Sequence, residues 1–352
     1  MLVILAWLNF MLQTPADQGR LWFPALLPVA LGLAYGLSQL PKQIGVIFGP
    51  LLALTTAVYC LFWLVIPTYA APQVIAASEI PPTASMLNVD MGKGMTLLAA
   101  DIETKTAVPG DMIHTTLYWR AETPPSNPPH ITITGTGREL APVAVLHTLH
   151  GSGINPPSSW LPGQIIADRI TVPLDEETAV PTQVRLWAKL QDGTGSVEIG
   201  QLKAVPLTQA TIQTNPLAIM GEHIQLIEAN IAPNQAQPGD SVQVQLKWQA
   251  LDPPAQPLTA FVHMGDPTMA PLAQSDAPPL KGDFPTQLWD TGDIITDTYN
   301  LILPENVSAG DYPIYTGFYD SNSGERLPII VNGEVLSHYS YRIDSIRITE
   351  TP

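Results

Sequence analysis

The stretches "AVPGDMIHTTLYWRAETPP", from Ala107 to Pro125, and "AQPGDSVQVQLKWQALDPP", from Ala236 to Pro254, are two versions of one structural statement. In the second, Val242, Val244, Leu246 and Trp248 alternate with Ser241, Gln243, Gln245 and Lys247, a period of two that places one apolar face on a strand and leaves the other wet. In the first, Ile113, Thr115, Leu117 and Trp119 take the buried-face positions. Each strand follows Pro-Gly-Asp, in which proline presets φ and glycine supplies a positive φ, so a turn precedes it. The fold is therefore read as mainly β.

Working outward, a constant offset of 129 makes 12 of the 29 positions from Leu97 to Pro125 identical to their counterparts. The match continues where Pro156, Trp160, Gly163, Ile165, Ile166 and Asp168 fall on Pro285, Trp289, Gly292, Ile294, Ile295 and Asp297, and a gap of two residues then brings "RITVP" onto "NLILP". A period this long is a whole domain rather than a solenoid repeat. Short alternating runs such as "HITITG", "QVRLWAKL", "LTAFVHM" and "YPIYTGFYD", separated by Pro and Gly clusters, predict two duplicated immunoglobulin-like β-sandwiches over residues 95–210 and 211–352.

The chain upstream is of another kind. Residues 1–71 carry only Asp17, Arg20 and Lys42 as charges, whereas 13 basic and 30 acidic residues follow. Three apolar runs occupy 1–12, 21–40 and 44–66. The last two are long enough for transmembrane helices, since about 20 residues cross the hydrocarbon layer, and the first is a truncated one. Residues 1–70 are thus expected to be a membrane region, and 71–94 a linker without sustained period. Lys42 in the turn between the full helices favours the cytoplasmic side, which would put the chain at the cell membrane with everything from about residue 71 outside it. Arg20 would then lie at the outer interface, able to meet a lipid phosphate. The acidic outer part excludes nucleic acid as a partner, and the single cysteine, Cys60, excludes an intrachain disulfide.

The pattern "PGD…LKWQA…FVHM…GDFPT…W…GD…GDYPIYTGFYD…GERLP" resembles the repeated sandwich at the C-terminal end of Chloroflexi-type family 39, or dolichyl-phosphate-mannose-type, membrane glycosyltransferases. "QGRLWFPALLPVALGLAYGL", with Gln18, Gly19, Arg20, Phe23, Pro24 and Ala25, is similar to the last helices of those proteins. The resemblance implies a lipid bilayer, a polyprenyl-phosphate sugar, other membrane subunits and glycan as partners. The family's catalytic acidic residue sits in a first outward loop that has no counterpart here, Asp17 being the only acidic residue among the apolar runs. The expectation is a non-catalytic remnant or accessory part of such an enzyme, holding glycan or envelope polymer, with a membrane-tethered adhesion or spacer protein as the alternative.

Trp160 and Trp289, each beside a glycine in a loop, are the candidate ligand-binding residues, because an exposed indole stacks on a sugar face; Arg20 is the third. No nucleophile-base order, phosphate loop or zinc spacing occurs, and His147 and His150, three apart, would share a metal only on a helix. No cofactor and no metal are expected.

Overall fold

The computed structural model describes residues 42–65 and 72–350, which fall in two compact units that divide after Ala70. In the first unit, helix α1 runs Lys42–Tyr59 and gives way to a π-helical turn, Cys60–Val65. The expectation of a membrane-crossing helix over 44–66 is corrected here: among the described residues no helix is long and apolar enough to cross a membrane. Eighteen residues rise about 27 Å, and they include Lys42 and Gln43, Gly45, Gly49 and Pro50, and Thr55 and Thr56, whose hydroxyls bond back to the Leu51 and Leu52 carbonyls. The runs 1–12 and 21–40, and Arg20 with them, lie outside the described residues.

The second unit is β throughout. Its first half contains β1 (Gln73–Ile75), β2 (Ser85–Asp90), β3 (Met95–Ile102), β4 (Thr106–Ala107), β5 (Met112–Ala121), β6 (Ile131–Thr136), β7 (Pro142–Thr148), β8 (Ile165–Pro173), β9 (Thr182–Leu190) and β10 (Ser196–Ala204). These form two sheets in the orders β1-β8-β5-β3-β2 and β4-β10-β9-β6-β7. The second half contains β11 (Ala218–Met220), β12 (Ile224–Ala232), β13 (Gln235–Ala236), β14 (Ser241–Ala250), β15 (Leu258–Met264), β16 (Ala273–Ala277), β17 (Ile294–Ile302), β18 (Gly310–Asp320), β19 (Ile329–Val331), β20 (Glu334–Val335) and β21 (Tyr341–Ile348). Their sheets run β17-β14-β12-β11-β19-β20 and β13-β21-β18-β15-β16. Residues 72–94, read as a linker, supply β1 and β2, which pair with β8 and β3.

Each half closes as a sandwich over its own core, with Trp119 and Trp248 fully buried at equivalent places. The alternation read from the sequence is the cause: Val242, Val244, Leu246 and Trp248 are all 0 % exposed. The corners before β5 and β14 match atom for atom, since Asp111 Oδ2 accepts the Val108 N–H and Asp240 Oδ2 the Gln237 N–H. In both halves a two-residue strand pairs parallel with the last one, β4 with β10 and β13 with β21.

The repeat is more regular than its letters. Ile113 pairs with Val172 and Leu117 with Asp168, while Val242 pairs with Leu301 and Leu246 with Asp297, all displaced by 129. The offset persists to Leu174 and Leu303, buried residues whose N–H groups donate to the Asp111 and Asp240 carbonyls. The gap of two residues at "RITVP" is therefore not present in the backbone. Aligning prolines misplaced it, whereas strand pairing counts residues.

Candidate functional site

Both candidate tryptophans lie on the crossovers that lead into β8 and β17, and both are hidden. Trp160 is 4 % exposed and Trp289 1 %. A short 3-10 turn, Pro157–Ser159 in one crossover and Thr286–Leu288 in the other, folds each indole under its sandwich. Trp160 Nε1 donates to the Asn155 carbonyl and Trp289 Nε1 to the Phe284 carbonyl, at 3.2 and 3.0 Å. Neither ring offers a face to a sugar, and the loop position that pointed to exposure serves core closure instead.

Beside Trp160 lies a buried polar pair. His150 Nδ1 is 3.1 Å from Asp168 Oδ2, with the imidazole edge-on between Trp119 and Trp160 at centroid distances of 5.1 and 5.2 Å. His147 sits apart from it, on β7, with its Nδ1 2.9 Å from Thr132 Oγ1. The two histidines of "LHTLHGSG" thus serve different surroundings, one a core and one a sheet face.

The exposed face that matters is the outer side of β10-β9-β6-β7. Along β9, Val184, Leu186, Ala188 and Leu190 enter the core, so Gln183, Arg185, Trp187 and Lys189 point outward. Trp187 is half-buried and lies between Thr134 on β6 and Glu198 on β10, its cross-strand partners. The next row of the face reads Ser196, Lys189, Thr132 and His147 across the four strands. That row opens into a groove of about 670 Å³, lined also by His130, Gln191 and Asp192. An indole among hydroxyl, carboxylate, amide and ammonium groups provides an apolar platform ringed by donors and acceptors. The sequence contained this signal in "QVRLWAKL", where tryptophan falls in the polar register of an alternating strand, but loop tryptophans drew the reading instead.

The second sandwich has the same position filled and closed. Thr134 faces Trp187; its counterpart 129 residues on, His263, faces Tyr315, which stands 128 residues beyond Trp187. There the segment after β18 returns over the face. The Arg326 guanidinium lies 4.4 Å from the Phe261 ring centroid and its Nη2 3.4 Å from His263 Nδ1, while His263 Nε2 is 2.9 Å from Asp276 Oδ1. Phe261 is wholly buried beneath this cover, in space left by Gly317, where a Cβ would stand 2.7 Å from its ring. One copy keeps an open aromatic face and the other has spent it on its own chain.

The two sandwiches meet through a polar junction. Lys203, at the end of β10, reaches Asp290 and Asp293 on the crossover into β17, at 2.9 Å from Asp293 Oδ2, and lies 5.3 Å from the Phe284 ring centroid. Asp293 is almost completely buried, so the ammonium compensates a desolvated charge. No protein-family model matches this chain, and no curated protein matches it either.

Proposed function

We propose that this chain is a non-catalytic, extracytoplasmic tandem-sandwich module that holds glycan or envelope polymer at the cell membrane, beside membrane subunits that carry out glycosyl transfer. The link to glycosyl transfer rests on the resemblance of its motifs to the C-terminal sandwiches of family 39 enzymes. The strand orders, with a parallel β4-β10 or β13-β21 edge, support the immunoglobulin-like reading of both sandwiches.

The observation that carries the holding role is Trp187. A tryptophan on a wet strand face, flanked by Thr134 and Glu198 and one row from the groove over Lys189, Thr132 and His147, matches the need of a pyranose ring for one flat apolar contact and several peripheral hydrogen bonds. Four strands spaced about 4.8 Å apart make a face long enough for several sugar units of an extended chain. Polymer binding would replace Trp160 and Trp289 with Trp187 as the stacking residue.

The test is binding of the full chain to a glycan array, followed by calorimetry with the best soluble oligosaccharide and Trp187→Ala alongside. Loss of binding with the fold retained in circular dichroism supports the module. Absence of any glycan binding leaves the spacer reading, which draws on the Lys203 junction as a stiff connection between sandwiches.

A further inference from the structure

Between the two sandwiches lies a cleft of about 290 Å³, distinct from the Trp187 face. The turn between β6 and β7 supplies Arg138 and Glu139. The crossover into β17 supplies Lys281 and Asp283, and β17 itself supplies Asp297 and Thr298. The walls are held across the junction by the Glu139 N–H, which donates to Asp283 Oδ2 at 2.8 Å, and by Lys281 Nζ, 3.8 Å from Glu139 Oε1.

Three properties single this cleft out. Arg138 gives one Nη2–H to the Pro181 carbonyl at 2.7 Å, but its buried Nε–H has no acceptor among the described residues. Such a group is costly unless something accepts from it. Next, Glu139, Leu280 and Lys281, all lining the cleft, hold left-handed φ of 53°, 50° and 56°. At the places equivalent to Leu280 and Lys281 the first sandwich has Gly151 and Ser152, with φ of 57° and 53°, so it is at Leu280 that the second copy puts a side chain on a conformation glycine takes freely. Non-glycine residues kept in such a conformation concentrate where a site is built. Lastly, the charges alternate, with two cations against three carboxylates, so that neither an anion nor a cation would find a uniform field.

From these we infer that the cleft binds one neutral, sugar-sized polyol, as the terminal hexose of a glycan would present. Its hydroxyl oxygens accept from Arg138 and Lys281, and its hydroxyl protons go to Asp283 and Glu139. Because both sandwiches contribute, occupancy ties them together. The inference names an end-group subsite and rests on the glycan-holding reading, but its residues are separate from Trp187.

Ligand-observed NMR of the full chain with glucose, galactose, mannose and N-acetylglucosamine, each alone, tests it. The expected result, measured in a Trp187→Ala background that removes any contribution of the sheet face, is saturation transfer from at least one sugar, weakened tenfold or more by Arg138→Gln and by Lys281→Met. Lys281 is exposed, so its variant keeps the test valid if Arg138→Gln fails to fold. No transfer from any of the four sugars, or transfer that Lys281→Met leaves intact, overturns the cleft. Oligosaccharide binding lost in Trp187→Ala alone would at the same time preserve the glycan-holding reading.

Discussion

Asp168 and Asp297 occupy one buried position in two sandwiches, and each accepts a backbone N–H from the same point of its crossover, Gly151 in the first and Leu280 in the second. Their second partners differ. Asp168 faces His150, whereas Asp297 accepts the Tyr299 hydroxyl at 2.8 Å. The positions equivalent to His150 and Tyr299 in the other copy are Pro279 and Ile170, so the donor has moved from crossover to strand while the acceptor stayed. Burial, then the Asp297 charge, pushes the Tyr299 phenol well above its ordinary range, which keeps it a donor.

Removing either donor leaves a buried carboxylate short of a partner. Tyr299→Phe is expected to destabilise the second sandwich by about 1–3 kcal/mol in urea unfolding. His150→Ala is expected to cost more, about 3–5 kcal/mol, because it also opens a hole between Trp119 and Trp160. Equal stability of wild type and both variants would disprove the role given to the two carboxylates.

Trp160→Ala and Trp289→Ala should each cost about 3–5 kcal/mol, as deletions from closed cores. Trp187→Ala, half-buried on the sheet face, should cost less, about 0.2–1 kcal/mol. Chemical denaturation of the three variants separates core from surface indoles without reference to any ligand.

The tryptophans also show what the sequence made legible. Strict alternation along "SVQVQLKW" exposed the strand, its face and the buried Trp248, because period two is a local property. Whether a loop tryptophan is covered depends on where a crossover lands, which is set by partners far along the chain, as when Trp289 meets Phe318. Residues 72–94 hid for a related reason: β1 has three residues and β2 is bulged between Met86 and Val89, so neither displays a period. The cleft was beyond local reading altogether, since Arg138 and Asp283 come from different copies.

Lys203→Met should leave Asp293 buried without its cation, at a cost of about 3–5 kcal/mol to the junction. Small-angle scattering is expected to show a larger radius of gyration and a broader distance distribution for the variant, while each sandwich retains its β signature in circular dichroism.

Glu103 offers a pH test. Burial alone would raise its pKa, but hydrogen bonds from Thr116 and Arg169 and the Arg169 charge outweigh it, and the net shift is downward. A carboxyl depressed in the folded state stabilises above its unfolded pKa, and that contribution is lost as pH falls through the folded value. Thermal midpoints measured from pH 7 down to pH 3 should therefore fall less steeply below about pH 4.5 in Glu103→Gln than in wild type.

The short parallel edges bear on force. In each sandwich the early strand and the last one run in the same direction and are held by paired bonds, Lys203 N–H to the Lys105 carbonyl and Val205 N–H to that of Ala107, with Arg347 to Asn234 and Thr349 to Ala236 in the second. Tension arriving from upstream and from downstream pulls these neighbours in opposite directions along their length. The bonds are loaded in shear and must yield together, unlike a hairpin that unzips one rung at a time. Force applied along this chain would meet two such latches in series, each reached from upstream only after the strands before it, β1–β3 or β11–β12, have come away from their sheet.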